Sequence, residues 1–158
     1  MTKAKKELKD IRDEAAARLA RGEMTGKELT DHLVSKGYER EEASKVASEF
    51  RDLGYIDEER YAGLFAAHGE RKGWGSGRIR MELTRRGVDP ETARLAIAEA
   101  LESGALSSDR ERALEVARKM LGDDGTLDER IKGRIARRLA GYGYGASVIY
   151  ETLRKLED

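Results

Sequence analysis

Arginine is the residue type through which this chain could do chemistry. Residues 77–86 carry Arg78, Arg80, Arg85 and Arg86 against one acid, Glu82, and residues 130–138 carry Arg130, Lys132, Arg134, Arg137 and Arg138 with no acid. A guanidinium is a planar, permanently charged fork of donors that matches phosphate or carboxylate oxygens. Both clusters therefore point to an anionic partner and leave open whether it is nucleic acid or acidic protein. The formal net charge of the chain is zero, so such affinity rests on local clustering alone. Just before the first cluster stands Gly73-Trp74-Gly75-Ser76-Gly77. It lacks the Gly-Lys-Ser/Thr ending and the preceding strand of a phosphate loop. The plain reading is a helix-to-helix turn. The sharper one is that its N–H groups and the following helix N-terminus meet a phosphate or an acidic side chain.

Other chemistries find little support. The two histidines, His32 and His68, lie on different predicted helices with no cysteine or spaced carboxylate beside them, which argues against a metal site. No Gly-x-Ser-x-Gly elbow and no convergent titratable set is recognisable, so neither catalysis nor a cofactor is expected. Charged residues make up 39% of the 158 and aromatics 6%, without strand-forming runs. That is a helical composition. The absence of cysteine fits a reducing compartment. No apolar run approaches a membrane span and the start of the chain has no signal-peptide core, so the expected location is the cytoplasm.

The elements that must position the arginines are helices punctuated by glycine. Residues 1 to 22 read as one helix with a stripe of Leu8, Ile11, Ala15 and Leu19, its first residues frayed. Thr25 and Glu28 form a capping box opening a helix with Leu29 and Leu33 inside and Gly37 at its end. A third helix covers about 41–53, with Ala43, Val46, Ala47 and Phe50 inward. Asp57 is an N-cap followed by Glu58 and Glu59, whose charge suits the first turn. Tyr61, Ala62, Leu64, Phe65 and Ala66 then form one apolar face. Gly69, Gly73, Gly75 and Gly77 are expected to end this helix in a flexible turn around Trp74. Ser76 is placed to cap the next helix, whose Ile79 and Leu83 point inward while its arginines point elsewhere. Gly87 stops it, and Asp89-Pro90-Glu91 starts another.

These elements repeat. At fixed offsets from Gly37 lie Leu29, Leu33, Ala43, Ala47, Gly54, Ile56 and Asp57. The same offsets from Gly87 give Ile79, Leu83, Ala93, Ile97, Gly104, Leu106 and Ser107; from Gly143 they give Ile135, Leu139, Ile149 and Leu153. A turn-rich insertion at 122–128, after the helix opened by Ser108 and Glu111, explains the longer second spacing. The expected fold is all-α: three tandem three-helix repeats, 1–54, 55–105 and 106–158, stacked into an elongated, curved body. Each basic cluster falls on the second helix of a repeat.

The segments Gly54-Tyr-Ile-Asp-Glu-Glu-Arg-Tyr-Ala62, Gly75-Ser-Gly-Arg-Ile-Arg-Met-Glu-Leu83 and Arg86-Gly-Val-Asp-Pro-Glu-Thr-Ala93 resemble the RecX family of bacterial recombination regulators. Leu19-Ala-Arg and Lys27-Glu-Leu-Thr-Asp-His-Leu33 look like that family's first repeat. The resemblance spans nearly the whole chain. Its third repeat departs in Gly141-Tyr-Gly-Tyr-Gly145, an unusually glycine-rich turn. The resemblance implies a non-enzymatic modulator of RecA that binds the RecA–DNA filament and commonly inhibits it; the chain is expected to act as a monomer on filaments assembled along single-stranded DNA. Weak direct DNA binding would accompany this. The residues expected from the basic clusters and the turn before them to contact the filament or DNA are Arg71, Lys72, Trp74, Arg78, Arg80, Arg85, Arg86, Arg130, Lys132, Arg134, Arg137 and Arg138. Two other readings stand beside it: a helix-turn-helix-like DNA-binding regulator, against which the zero net charge weighs, and a helical scaffold in which the arginines are dispensable.

Overall fold

The structure, a computed structural model, describes residues 9–123 and 125–158. Leu8, the expected frayed start and Asp124 of the insertion lie outside them. Among the described residues there are nine α-helices and no strand: α1 Ile11–Leu19, α2 Gly26–Ser35, α3 Arg40–Asp52, α4 Glu58–Lys72, α5 Ser76–Arg85, α6 Pro90–Ser103, α7 Asp109–Leu121, α8 Glu129–Gly141 and α9 Ala146–Glu157. The chain is thus the all-α series of three-helix repeats that its glycines announce. It divides into two compact parts, one formed by residues up to Tyr61 with Arg86–Val88, the other by Ala62–Arg85 with Asp89–Asp158.

In the first part α1 packs on α2 and α3, and α2 packs on α3. Leu29, Leu33 and Ala43 are fully buried, joined by Ile11, Val46, Phe50 and Ile56. Each fully buried leucine contributes about 2 kcal/mol of transfer free energy. The capping box is formed as expected: the Thr25 hydroxyl accepts from the Glu28 N–H and Glu28 accepts from the Thr25 N–H. Buried Thr25 also donates its hydroxyl to the Arg86 carbonyl at 2.6 Å, tying down the strap at 86–88.

In the second part α5 packs on α6, and α7, α8 and α9 pack on one another. Ala113, Ala117, Ile135, Leu139 and Tyr144 form a core, and Ile79 and Leu83 are fully buried. The second helices α2, α5 and α8 are followed by Gly37, Gly87 and Gly143 at φ 107°, 100° and 88°. In that left-handed region a side chain is strained. The residue after each glycine, Tyr38, Val88 or Tyr144, turns back into the core. Ile56 and Leu106 do the same after the third helices.

Three expectations are corrected. Leu64 is 56% exposed, because the buried face of α4 uses Tyr61, Ala62, Phe65 and Ala66 and turns Leu64 outward. Gly69 does not end α4, which runs on to Lys72. A Cβ at Gly69 would stand 2.5 Å from Ile79 Cδ1, so this glycine makes room inside the helix for the α5 core residue. The first helix covers only Ile11–Leu19 within the described residues.

Candidate anion-binding cleft

The turn between α4 and α5 is pinned by hydrogen bonds with another glycine turn. The Gly75 N–H donates to the Tyr142 carbonyl at 2.7 Å, and the Tyr144 hydroxyl donates to the Gly73 carbonyl at 2.7 Å. The two glycine turns approach so closely that a Cβ on Gly143 would stand 2.5 Å from the Arg78 Cβ and harder still against the Arg78 backbone nitrogen. The glycine-rich third turn is thus the counterpart of the glycine-rich turn around Trp74.

Arg112 completes the clamp. Its side chain is 2% exposed. It donates through Nε to the Trp74 carbonyl at 2.8 Å, through Nη1 to the Ser107 carbonyl, and through Nη2 to Asp109 Oδ1 at 2.6 Å. Glu70 lies 3.5 Å from it and accepts from the Ser107 N–H and hydroxyl. The expected cap of α5 is corrected here. Ser76 is the first helical residue, and both its N–H and its hydroxyl donate to Asp109, at 3.1 Å and 2.7 Å. A carboxylate from the start of α7 therefore occupies the positive end of α5. Within the turn itself the Gly75 N–H goes to the Tyr142 carbonyl rather than to an acid.

From the clamped turn, Trp74 presents its indole between Phe65, His68 and Arg78. The ring centroids of Phe65 and His68 lie 5.9 Å and 5.4 Å away, and the Arg78 guanidinium stacks 4.3 Å above the indole. Arg78 also donates to the Gly141 carbonyl at 3.2 Å, and its guanidinium carbon is 5.8 Å from the Tyr142 ring centroid. Arg138 flanks the same ring at 5.7 Å. Held this way, Arg78 joins Arg134, Arg137 and Arg138 of α8 around one cleft of about 390 Å³, with Tyr142, Met120 and Gly141 completing its lining. Among the described residues no carboxylate lines it. A second cleft of about 280 Å³ shares Met120, Arg138 and Tyr142 and adds Arg71, Lys72 and Lys119 together with Glu70 and Glu115. Its charges are partly neutralised, since Lys119 pairs with Glu115 at 3.1 Å.

The twelve residues singled out in the sequence thus separate. Arg78, Arg134, Arg137 and Arg138 converge, Trp74 supports Arg78, and Arg71 and Lys72 line the adjoining cleft. The others do not line either cleft. Arg80 and Arg130 are exposed on their helices. Arg85 pairs with Glu82 at 2.7 Å. Arg86 belongs to the first compact part, donates to the Tyr61 hydroxyl at 3.2 Å and lies 3.9 Å from Glu28. Lys132 pairs with Glu157 at 2.5 Å and Glu129 at 3.3 Å. The hydrogen bond to Glu157 raises the Lys132 pKa, and the same bond lowers that of Glu157.

Sequence reasoning misses Arg112, Asp109 and Tyr142. The first two show only as an i, i+3 pair after a capping serine, a pattern shared with many surface helices. Tyr142 is visible as part of an odd glycine-rich turn, without a reason to prefer it over Tyr144. Of the histidines, His32 bonds Glu14 at 3.1 Å and His68 packs on Trp74. Among the described residues no group of histidine and carboxylate side chains could hold a metal ion, and no helix is long and apolar enough to cross a membrane. The larger groove of the first part, about 700 Å³ beside Leu53 and Tyr55, has Arg12, Glu49, Glu23 and Arg60 in its lining. Those charges pair with each other, Arg12 to Glu49 and Arg60 to Glu23.

Residues 57–97 match the family model described as RecX, second three-helix domain. A "Regulatory protein RecX" from Xanthomonas campestris pv. campestris (strain B100) is 31% identical over 142 residues, covering 89% of this chain and 84% of that one. Another from Lactobacillus delbrueckii subsp. bulgaricus is 28% identical over 138 residues, covering 86% of this chain; the chain spans 49% of that relative's length. In fold, the chain is similar to the crystal structure of RecX from Lactobacillus salivarius, with a TM-score of 0.73 at 20% identity, covering 93% of this chain and 94% of that one.

Proposed function

We infer that this chain, which belongs to the RecX family of regulatory proteins, works by binding a RecA–DNA nucleoprotein filament and restraining its growth. The observation that carries the reading is the convergence of Arg78 with Arg134, Arg137 and Arg138 in one cleft without a carboxylate among its described lining residues. Four guanidiniums held together this way repel one another, and an anionic partner relieves that cost. The first of these arginines comes from the second repeat and the others from the third. The chain acts as a monomer in the cytoplasm, on filaments assembled along single-stranded DNA. Binding alone suffices for this role; no step of it needs a cofactor.

A second reading, a regulator that binds duplex DNA directly, has the same cleft behind it and the zero net charge against it. Duplex binding draws on counterion release along an extended basic face. Co-sedimentation with preformed RecA filaments, beside bare duplex of the same length at near-physiological salt, separates the two. The filament reading expects retention on the filament and little on the duplex. Equal retention on both would transfer the function to the second reading.

A further inference from the structure

We propose that the cleft between α5 and α8 is a nucleotide subsite: the guanidiniums of Arg78, Arg134, Arg137 and Arg138 take backbone phosphates, and Tyr142 takes a base or sugar face. The proposal rests on the filament reading and adds that the cleft itself meets the nucleic acid rather than the protein of that filament.

Three observations favour phosphate with a base over a carboxylate surface. First, the lining pairs charge with an aromatic ring: Arg78 and Arg138 stand on Tyr142 at 5.8 Å and 5.7 Å from its centroid. Sites for single strands combine a basic groove with such stacking platforms. An acidic peptide would engage the arginines and leave the ring without a task. Second, the site is concave and about 390 Å³ in volume. It receives one extended strand or one mononucleotide, whereas duplex phosphates lie on a convex cylinder. Third, the arginine that joins the two helices is fixed in advance. Arg78 is held by the Trp74 face at 4.3 Å and by the Gly141 carbonyl at 3.2 Å, so its fork loses little freedom on binding.

The sole tryptophan of the chain lies under Arg78, so ligand entering the cleft changes Trp74 emission. The experiment titrates the full chain with an end-labelled oligothymidylate, with thymidine monophosphate, and with poly-glutamate of matching charge. It follows Trp74 fluorescence and, for the oligonucleotide, anisotropy across a salt series. Far-UV circular dichroism checks that each variant is folded. Saturable oligonucleotide binding with a Trp74 response is expected. It weakens at least tenfold in R134E/R137E, and each lost phosphate contact flattens the salt slope by about 0.7. Y142L loses roughly fivefold to a hundredfold in affinity while Y142F retains it. Oligonucleotide binding tighter than monophosphate identifies a strand as the source; equal binding identifies a free nucleotide, and both support the site. Poly-glutamate binding as tightly as the oligonucleotide would overturn it. So would a folded wild type with neither anisotropy change nor Trp74 response that still co-sediments with filaments, an outcome that leaves the filament reading standing. Loss of filament retention in the wild type would remove that reading separately.

Discussion

Arg112 donates from Nε to the Trp74 carbonyl at 2.8 Å, across 38 residues of sequence. The bond ties the start of α7 to the turn that carries the aromatic support of the cleft. The same guanidinium serves Asp109, Glu70 and the Ser107 carbonyl. Removing the guanidinium leaves the Trp74 and Ser107 carbonyls without their donor and two partly buried carboxylates without their counter-charge, at a cost on the order of 1–3 kcal/mol. Arg112→Met is therefore expected to lower the denaturation midpoint strongly with an unchanged slope, and to shift Trp74 emission to the red as the turn loosens. Arg112→Lys keeps the charge but not the three-way fork, so its loss is smaller. An Arg112→Met protein as stable as the wild type would show that the clamp is dispensable.

Tyr144 couples this clamp to pH. Burial pushes its pKa up to about 12, a rise that the nearby Arg112 partly opposes. The fold thus favours the protonated phenol, which donates to the Gly73 carbonyl. The stability it contributes is full below the ordinary tyrosine value near 10 and is lost as pH rises toward about 12. Burial also raises the pKa of Tyr38 and Tyr61, so all three contribute to an alkaline decline. Tyr144→Phe is expected to cost about 1 kcal/mol at neutral pH and to make the decline shallower. Denaturant melts at about pH 9 and about pH 11.5, below and within the window of that loss, measure both; an identical decline in the variant would remove Tyr144 from the account.

The helices and their ends are legible in the sequence because their signals are local. Thr25 with Glu28, Asp57, Asp89-Pro90 and Ser108 each satisfy N–H groups within the next turn, so a short window of sequence contains the whole interaction. The inward residues Leu29, Ile79 and Ile135 recur at one offset from a glycine and are all fully buried. The cleft is only half legible. The basic helices can be read from charge, but not which arginines meet, because that depends on Gly75 and Tyr142 pairing across 67 positions of sequence. The capping of α5 by Asp109 is illegible for the same reason: Ser76, the local candidate, is outcompeted by a carboxylate from 33 residues away.

The glycines give an ordered test of the turns. Gly104 has φ 84° with open space where a methyl would stand, while Gly143 has φ 88° with the Arg78 Cβ 2.5 Å from that position. Gly104→Ala bears only the left-handed strain, about 1 kcal/mol, whereas Gly143→Ala bears that strain and forces the two turns apart. Gly37→Val and Gly87→Val are each expected to cost on the order of 1 kcal/mol or more, because a β-branched residue is strained at positive φ. Thermal melts rank the four, and a Gly143→Ala no worse than Gly104→Ala would contradict the close approach of the turns.

The two basic clusters are expected to contribute unequally to filament binding, and the division follows partners rather than helices. Arg134 and Arg137 line the cleft without a carboxylate among its described lining residues. Lys132, on the same helix, already pairs with Glu157 and Glu129, and Arg85 pairs with Glu82. An arginine without an acid beside it brings its full charge to a partner, while a paired lysine must first give up its carboxylate. The Lys132 pairs lie at the surface and are worth at most about 1 kcal/mol, so breaking them leaves the fold intact, whereas Glu82 is buried and Arg85→Gln carries a stability cost of its own. Arg134→Glu with Arg137→Glu is expected to weaken co-sedimentation with RecA filaments and to flatten its salt dependence by roughly one log–log unit per lost phosphate contact. Lys132→Gln with Arg85→Gln is expected to leave both nearly unchanged. Helicity by circular dichroism accompanies every variant. The opposite ranking, with the paired residues dominating, would move the binding face away from the cleft. Wild-type retention in both double variants would favour a scaffold in which the arginines are dispensable.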